Sequence, residues 1–186
     1  MLMRGNRTIK MNSDNFRAFR SENYPLLGEA GINIRYNSSA IIRPREWDKT
    51  PTFYKELDTR VSILKLHPGI TPQVVEHILC GKESRAVILE TYGAGNAPSK
   101  KWFLDQIHKA AEMGKILVNV TQCKAGSVNM DIYATGKCLK DEGVCSGYDG
   151  TTEGVLGKLF HLMGNSDNND VVKSMLEDNL RGEISK

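Results

Sequence analysis

The stretch from residue 85 to residue 136 limits the possible folds of this chain more than any other. Two apolar runs, residues 86–89 and 116–120, are separated by a turn-rich segment and by an amphipathic run over residues 102–113 that a glycine ends. This order of strand, loop, helix and strand has the length of a βαβ unit, which requires a parallel sheet. Because both runs are apolar at consecutive positions and do not alternate with polar residues, the strands are expected to be buried on both faces.

The carboxyl ends of these strands are the expected place for a ligand. In open parallel sheets, ligands bind in the crevice beyond the carboxyl ends of the strands. The loops that follow the two strands, residues 91–98 and 121–130, are both rich in glycine and small polar residues. A binding site in this part of the chain is therefore expected in these loops.

The whole chain divides into three parts. Residues 1–45 hold too little apolar material to bury a core alone, so we interpret them as a remnant of a larger N-terminal α/β domain. Residues 46–60 are charged and lack periodicity, which indicates a linker. Residues 61–186 predict a compact α/β domain, in which a small parallel sheet has helices on both faces. This α/β/α arrangement is of the Rossmann or flavodoxin type.

Local signals place the remaining elements. A first strand at residues 61–66 precedes a helix that begins after Thr71 with a proline at its first position and ends at Gly81. A short last strand is expected around Val144, and the alternation at residues 32–36 predicts a half-buried strand in the first part. Three more helices are predicted, at residues 131–140, 151–163 and 171–176.

Composition argues against several classes of partner. The net charge is only +3 and the basic residues are interleaved with acids, so nothing indicates a nucleic-acid surface. No apolar run approaches the length that crosses a membrane, and the first residues do not form a signal peptide. The four cysteines and four histidines lack zinc spacing. We therefore expect reduced thiols in a cytoplasmic protein, with no metal and no cofactor.

Three short motifs each have a structural and a functional interpretation. The Gly93-x-Gly95 pair suggests a dinucleotide fingerprint, but Pro98 stands where the third glycine belongs, so a tight turn is the better explanation. Asn96 either caps the following helix or presents its amide to a ligand, and on the residues alone the cap is favoured. The loop around Cys123 holds either a buried thiol beside a turn or a ligand pocket.

Several separate motifs resemble the C-terminal part of bacterial type I (cytosolic) L-asparaginases. The resemblance covers nearly the whole chain, and the motifs occur in the family's order, which is far more specific than a lone glycine pair. The motifs are Arg4-Gly-Asn-Arg-Thr-Ile-Lys10, Ile88-Leu-Glu-Thr-Tyr-Gly-Ala-Gly-Asn-Ala-Pro98, Val118-Asn-Val-Thr-Gln-Cys123, Val128-Asn-Met130 with Tyr133-Ala-Thr-Gly136, and Asn179-Leu-Arg-Gly-Glu183.

This resemblance implies a two-domain enzyme that hydrolyses the side-chain amide of L-asparagine to L-aspartate and ammonia. In the family, a larger N-terminal domain carries most of the active site, including a threonine nucleophile, a second threonine and an aspartate that this chain does not match. The family's lysine, which works with that aspartate to move a proton, matches Lys10, a residue that would otherwise be assigned to the surface. We therefore expect a fragment of an L-asparaginase that is inactive by itself.

The resemblance also implies partners and a second site. Asn96 lies in the loop that reaches the active site of a neighbouring subunit in this family, so self-association as a homodimer or homotetramer is expected. Some members bind asparagine at a regulatory site, and Thr121 and Cys123 match positions of that pocket. An arginine of the pocket is replaced here by Glu90 and a threonine by Ile9. Because an acid repels the carboxylate of the ligand, this site is expected to be weak or absent.

Two other interpretations remain open. One is an independent, non-catalytic small-ligand-binding or interaction module that uses the loops 91–98 and 121–130. The other is a related amidohydrolase such as the amidotransferase subunit of the same architecture, which the continuity of the type I motifs disfavours. A domain without its partner leaves apolar surface uncovered. Self-association or disorder is therefore expected in residues 1–45, around Phe16, Phe19 and Leu26.

Overall fold

The computed structural model describes residues 1–43 and 50–186. In chain order the strands are Ile9–Lys10 (β1), Phe19–Arg20 (β2), Gly28–Ala30 (β3), Ile34–Tyr36 (β4), Val61–Lys65 (β5), Ala86–Thr91 (β6), Ile116–Thr121 (β7) and Cys145–Ser146 (β8). The helices are Pro72–Cys80 (α1), Lys101–Glu112 (α2), Ala134–Asp141 (α3), Thr152–Asn165 (α4) and Asn169–Leu176 (α5). A short 3-10 helix, Gly5–Arg7, precedes β1.

The centre of the structure is a four-stranded parallel sheet in the order β5-β6-β7-β8. The predicted βαβ unit is confirmed as β6, α2 and β7. Nearly every residue of β6 and β7 is buried, as their continuous apolar runs predict. Helix α2 is followed by Gly114, whose φ of +76° allows the chain to turn back towards β7.

Helices cover both faces of this sheet, which confirms the α/β prediction. On one face, buried side chains of the helices α1, α2 and α3, such as Phe103 of α2, pack on alternate residues of the strands, such as Leu89 and Leu117. On the other face, α4 and α5 pack on the intervening residues, such as Ile88 and Val118. Because successive side chains of a strand point to opposite faces, the same short runs supply both cores.

Residues 1–43 form two small antiparallel hairpins, β1 with β2 and β3 with β4. The prediction of a half-buried strand at residues 32–36 was wrong. The strand begins only at Ile34, and all three of its residues are exposed, so none of the described elements buries their side chains. Phe16 and Phe19 are also exposed, as expected, and Leu26 is half-buried.

Several predicted boundaries shift. The predicted linker at residues 46–60 falls in part on residues 44–49, which lie outside the described residues. Helix α3 begins at Ala134 and not at 131, because the Asn129 side chain accepts a hydrogen bond from the Asp131 amide and holds a turn there. The last strand begins at Cys145 and not at Val144. Within residues 1–43 and 50–186, no helix is both long enough and apolar enough to cross a membrane.

Candidate functional site

A cavity of about 230 Å³ lies at the carboxyl edge of the sheet, where the sequence predicts a ligand. The parallel register of β5 and β6 places Lys65 beside Glu90, and Thr121 ends the next strand. The lining includes Ile9, Lys65, Glu90, Thr121, Cys123 and Thr152. The structure thus brings together the four residues that the resemblance relates to a regulatory pocket: Ile9, Glu90, Thr121 and Cys123.

Glu90 is held in place within this cavity. Its carboxylate accepts a hydrogen bond of 2.7 Å from the Thr152 hydroxyl at the start of α4, and its second oxygen lies 3.5 Å from the Lys65 ammonium. The side-chain amide of Gln122, a residue that also lines the cavity, donates to the backbone oxygen of Glu90 at 2.8 Å. Two polar groups of the lining that could bind an anion, the Thr152 hydroxyl and the Lys65 ammonium, therefore already contact a carboxylate of the protein.

The N-terminal segment completes the cavity wall. Ile9 of β1 is buried and lines the cavity. The Asn23 amide donates to the backbone oxygens of Gly126 and Asp149, and its side-chain oxygen accepts a bond from the Gly126 amide. Residues more than a hundred positions apart thereby enclose one space, which local sequence patterns do not reveal.

Cys123 is exposed and lines the cavity, so of the two interpretations of this loop the buried thiol is wrong, and the structure shows a cavity there. The Thr121 hydroxyl accepts a hydrogen bond of 3.0 Å from the Cys123 amide, and this bond turns the loop and keeps the thiol at the surface. Cys145 is the contrasting case: burial raises the pKa of its thiol to about 12. Cys123 is thus open to reagents, whereas Cys145 stays protonated and unreactive.

Lys10 lies next to Ile9 in β1 but points the opposite way. Side chains alternate along a strand, so Ile9 faces the protein and the Lys10 side chain is exposed. Lys10 pairs with Phe19 across the hairpin, and Phe19 is exposed as well. The lysine therefore lies on a surface beside the cavity and does not line it.

Asn96 lies in a separate place and does not cap α2, whose N-cap residue is Lys100. Its backbone closes the turn after β6 through two hydrogen bonds with Tyr92, and its side-chain oxygen accepts a long bond of 3.3 Å from the Thr135 hydroxyl. Gly95 is needed in this turn, since its φ is +106° and a Cβ there would lie 2.9 Å from Val128. The favoured cap interpretation of Asn96 was therefore wrong.

The two loops singled out in the sequence are joined to each other. The Thr121 hydroxyl donates to the backbone oxygen of Gly93, and the Asn129 amide donates to the backbone oxygen of Ala94 at 2.9 Å. Beneath them, the buried hydroxyl of Thr91 donates to the Asn119 side-chain oxygen at 2.6 Å. The two loops are therefore connected to each other at the carboxyl edge of the sheet. Within the described ranges 1–43 and 50–186, no group of three or more His, Cys, Asp or Glu side chains is arranged to hold a metal ion.

Sequence reasoning missed four residues around this site. Lys65 and Thr152 anchor Glu90, and the pair Arg7 and Asp149 fixes the N-terminal segment behind Ile9. Lys65 could have been predicted, because the carboxyl ends of parallel strands lie side by side and Lys65 ends the strand next to that of Glu90. The sequence offered no signal for the pairing of Arg7 with Asp149, because the two are far apart in the chain, although Arg7 lies in one of the motifs that carry the family resemblance.

Comparison with known proteins places this geometry in a family. Residues 60–176 match the model of the glutaminase/asparaginase C-terminal domain. L-asparaginase 1 of Escherichia coli K12 is 38% identical over 185 residues, which are 99% of this chain and 54% of that protein. A mouse protein named 60 kDa lysophospholipase is 36% identical over 99% of this chain and 32% of its own length.

A solved structure gives the same result in three dimensions. L-asparaginase I from Vibrio cholerae superposes with a TM-score of 0.90 at 40% sequence identity, covering 99% of this chain and 55% of that one. The chain thus spans about half the length of the asparaginases that it matches. It belongs to the glutaminase/asparaginase C-terminal domain family and corresponds to the C-terminal part of type I L-asparaginases.

Proposed function

We infer that these residues supply the C-terminal part of an enzyme that hydrolyses the side-chain amide of L-asparagine to L-aspartate and ammonia. The observation that carries this proposal is the similarity to two L-asparaginases over 99% of the chain, at 38% and 40% identity. The similarity includes the N-terminal segment that carries Lys10, and not only the domain that gives the family its name.

The proposed chemistry needs residues from outside these 186. The threonine nucleophile belongs to the half of the relatives that this chain does not span, and Lys10 works with an aspartate from that half to move the nucleophile's proton. The exposure of Lys10 on β1 supports this role, because the side chain is free to meet groups that another part of the enzyme presents. The residues by themselves are therefore inactive.

Assembly is the second part of the proposal. The loop of Asn96 extends from the carboxyl edge of the sheet towards a neighbouring subunit, and two or four copies form the complete enzyme. The hydrogen bonds that join residues 91–98 to residues 121–130 support this, since a loop that contributes to a neighbouring site must hold its shape.

The cavity at the carboxyl edge binds asparagine weakly or not at all. Glu90 presents a negative charge where an incoming α-carboxylate needs a positive one, and it engages Thr152 and Lys65. Ile9 adds an apolar wall without a hydroxyl. This site therefore does not regulate the enzyme through asparagine.

The test is ammonia release from L-asparagine by the 186-residue chain, alone and combined with the N-terminal half of E. coli L-asparaginase 1. Activity in the combination only, lost in Lys10→Met and retained in Lys82→Met, supports the proposal, since Lys82 is an exposed lysine remote from β1. Activity of the chain alone contradicts it. Stable folding with ligand binding and no activity in the combination favours an independent binding module.

A further inference from the structure

Arg7 is the most fully engaged charged side chain of the N-terminal segment. It is only 2% exposed, and its two terminal nitrogens donate to the two carboxylate oxygens of Asp149 at 2.7 and 2.5 Å. The same nitrogens reach the backbone oxygens of Glu183 and Asn23, at 2.9 and 3.1 Å, and the Ser185 hydroxyl at 3.2 Å. A planar guanidinium in a two-pronged bond with a carboxylate has one defined orientation, which a lysine cannot reproduce.

The C-terminal residues close over this pair. The Ser185 amide donates to Asp149 at 2.6 Å, and the Glu183 carboxylate pairs with the Lys158 ammonium of α4 at 2.7 Å. Both side chains of the second pair are 5% exposed. We call Arg7, Asp149, Glu183 and Ser185 the clasp. The clasp connects the N-terminal segment, the loop before α4 and the C-terminal residues.

Strand β1 begins two residues after Arg7. It has only two residues and pairs with a strand of the same length, which is too short to fix its own register. Ile9 faces the cavity and Lys10 faces outwards. Because side chains alternate along a strand, a shift of one residue exchanges the directions of Ile9 and Lys10.

We propose that the clasp positions Lys10: Arg7 fixes β1 so that Ile9 fills the cavity wall and Lys10 points out towards the groups that the rest of the enzyme supplies. This inference rests on the proposed function, in which Lys10 moves a proton. Arg7 acts through the backbone of β1 and does not touch the substrate, so it is a positioning residue and not a catalytic one. The same role extends to Asp149, whose carboxylate orients Arg7.

The first measurement uses the 186-residue chain by itself. The Met11 amide, directly after β1, donates to the backbone oxygen of Ala18 at 2.6 Å, so its hydrogen exchange reports on this hairpin. We expect Arg7→Lys and Asp149→Asn to speed that exchange about tenfold or more while the amides of β6 and β7 keep their rates. Arg60→Lys is the matched control, because Arg60 makes the same two-pronged bond with Asp58 but is exposed.

The second measurement uses the chain combined with the N-terminal half of E. coli L-asparaginase 1. We expect Arg7→Lys to lower kcat by about tenfold to a hundredfold and to leave KM within about twofold, because a misplaced proton carrier slows the chemical step without weakening substrate binding. Arg60→Lys is expected to leave both constants unchanged.

Three results overturn the clasp's role. The first is a Met11 exchange rate that is the same in Arg7→Lys and in Arg60→Lys, and the second is that Arg7→Lys speeds exchange equally throughout β6 and β7. The third is that Arg7→Lys speeds Met11 exchange but leaves kcat normal. The proposed function fails separately, through an unmodified combination that releases no ammonia. A selective change in Met11 exchange then still supports the clasp as the element that fixes β1.

Discussion

Strands β6 and β7 and strands β1 to β4 belong to one chain but are held in place in different ways. β6 and β7 have six residues each, pair along their whole length and are covered by helices on both faces. β1 to β4 have two or three residues each, pair only as hairpins and expose most of their side chains. Burial of apolar side chains explains what holds β6 and β7 in place, but it cannot explain what holds β1 to β4 in place.

The difference shows what each region needs. A fully buried aliphatic side chain contributes about 1.5–3 kcal/mol, so the sheet and its helices carry their own stability. Hairpins of two or three residues are marginal in water, so residues 1–43 depend on polar bonds from distant parts of the chain. Besides the clasp, these include Asn23 with Gly126, and Arg4 with the backbone oxygens of Ala40 and Arg181. Exposed apolar side chains in such a region suit an interface.

The largest expected effect compares two phenylalanines, one in each region. Phe103 of α2 is fully buried against the sheet, whereas Phe16 is fully exposed. We expect Phe103→Ala to lower the free energy of unfolding by about 3–5 kcal/mol through lost burial and a cavity. Phe16→Ala removes the same ring and is expected to change it by less than about 0.5 kcal/mol. Urea unfolding followed by circular dichroism measures both, and similar losses would break the comparison.

A smaller effect marks where the chain before β5 packs on the sheet domain. A Cβ at Gly164 of α4 would overlap the backbone of Glu56 and Leu57, whereas a Cβ at Gly157 of the same helix would meet nothing within 4 Å. We expect Gly164→Ala to destabilise by about 1–3 kcal/mol. Gly157→Ala is expected to stabilise by about 0.5–1 kcal/mol, because alanine favours a helix. Equal shifts in thermal midpoint for the two variants would show that residues 56–57 do not pack on α4.

Acid is expected to loosen residues 1–43 before the sheet. Burial works to raise the pKa values of Asp149 and Glu183, but the Arg7 bond at Asp149 and the Lys158 bond at Glu183 outweigh it, so both pKa values lie below the ordinary 3.8 and 4.5. Their stabilisation is complete above those ordinary values and is lost as pH falls through the lower folded values.

An acid titration followed by amide NMR resolves the two regions. Signals of β1 to β4 are expected to change below pH 4.5 while those of β6 and β7 remain. Because the amide of Asp149→Asn does not ionise, that variant loses the Asp149 part of the pH dependence. Simultaneous loss of all signals would instead indicate a single cooperative unit.

The smallest expected effect lies where the two regions meet, at Glu90. We expect Glu90→Arg to raise the affinity of the cavity for L-asparagine by about tenfold or more, since an arginine forms a two-pronged bond with a carboxylate. Glu90→Gln, which removes the charge without supplying a donor pair for that geometry, is the control and is expected to gain less. Calorimetric titration measures both. Firm asparagine binding by the unaltered chain would contradict the role given to Glu90.

The elements of the sheet were predictable because their signals are local. The apolar runs of β6 and β7 and the glycine after α2 specify a buried βαβ unit within a single stretch of sequence. The alternation at residues 32–36 misled for a physical reason: alternation shows that one face is apolar, but not that anything covers it. Here Ile32 and Ile34 are apolar and exposed.

The site was predictable only in part. The position of the cavity followed from the rule for parallel sheets, and four of its lining residues came from the family resemblance. The contacts of the clasp were out of reach, because Arg7 and Asp149 are separated by 142 positions. The family motifs contain Arg7 and Glu183 but do not show which residues they contact. The exposure of Cys123, whose backbone amide donates to the Thr121 hydroxyl, is a detail that residue type does not encode.

The most direct measurement is residue-resolved hydrogen exchange of the unmodified 186-residue chain at several urea concentrations. If burial stabilises the sheet, and hydrogen bonds and ion pairs stabilise residues 1–43, the amides of β6 and β7 exchange only through global unfolding. Their exchange rates then depend strongly on the urea concentration. The amides of β1 to β4 then exchange through local opening, at rates that depend little on urea. Addition of the N-terminal half of an asparaginase is expected to slow the exchange of these amides selectively. Equal protection and equal urea dependence in all strands of the unmodified chain would contradict this division.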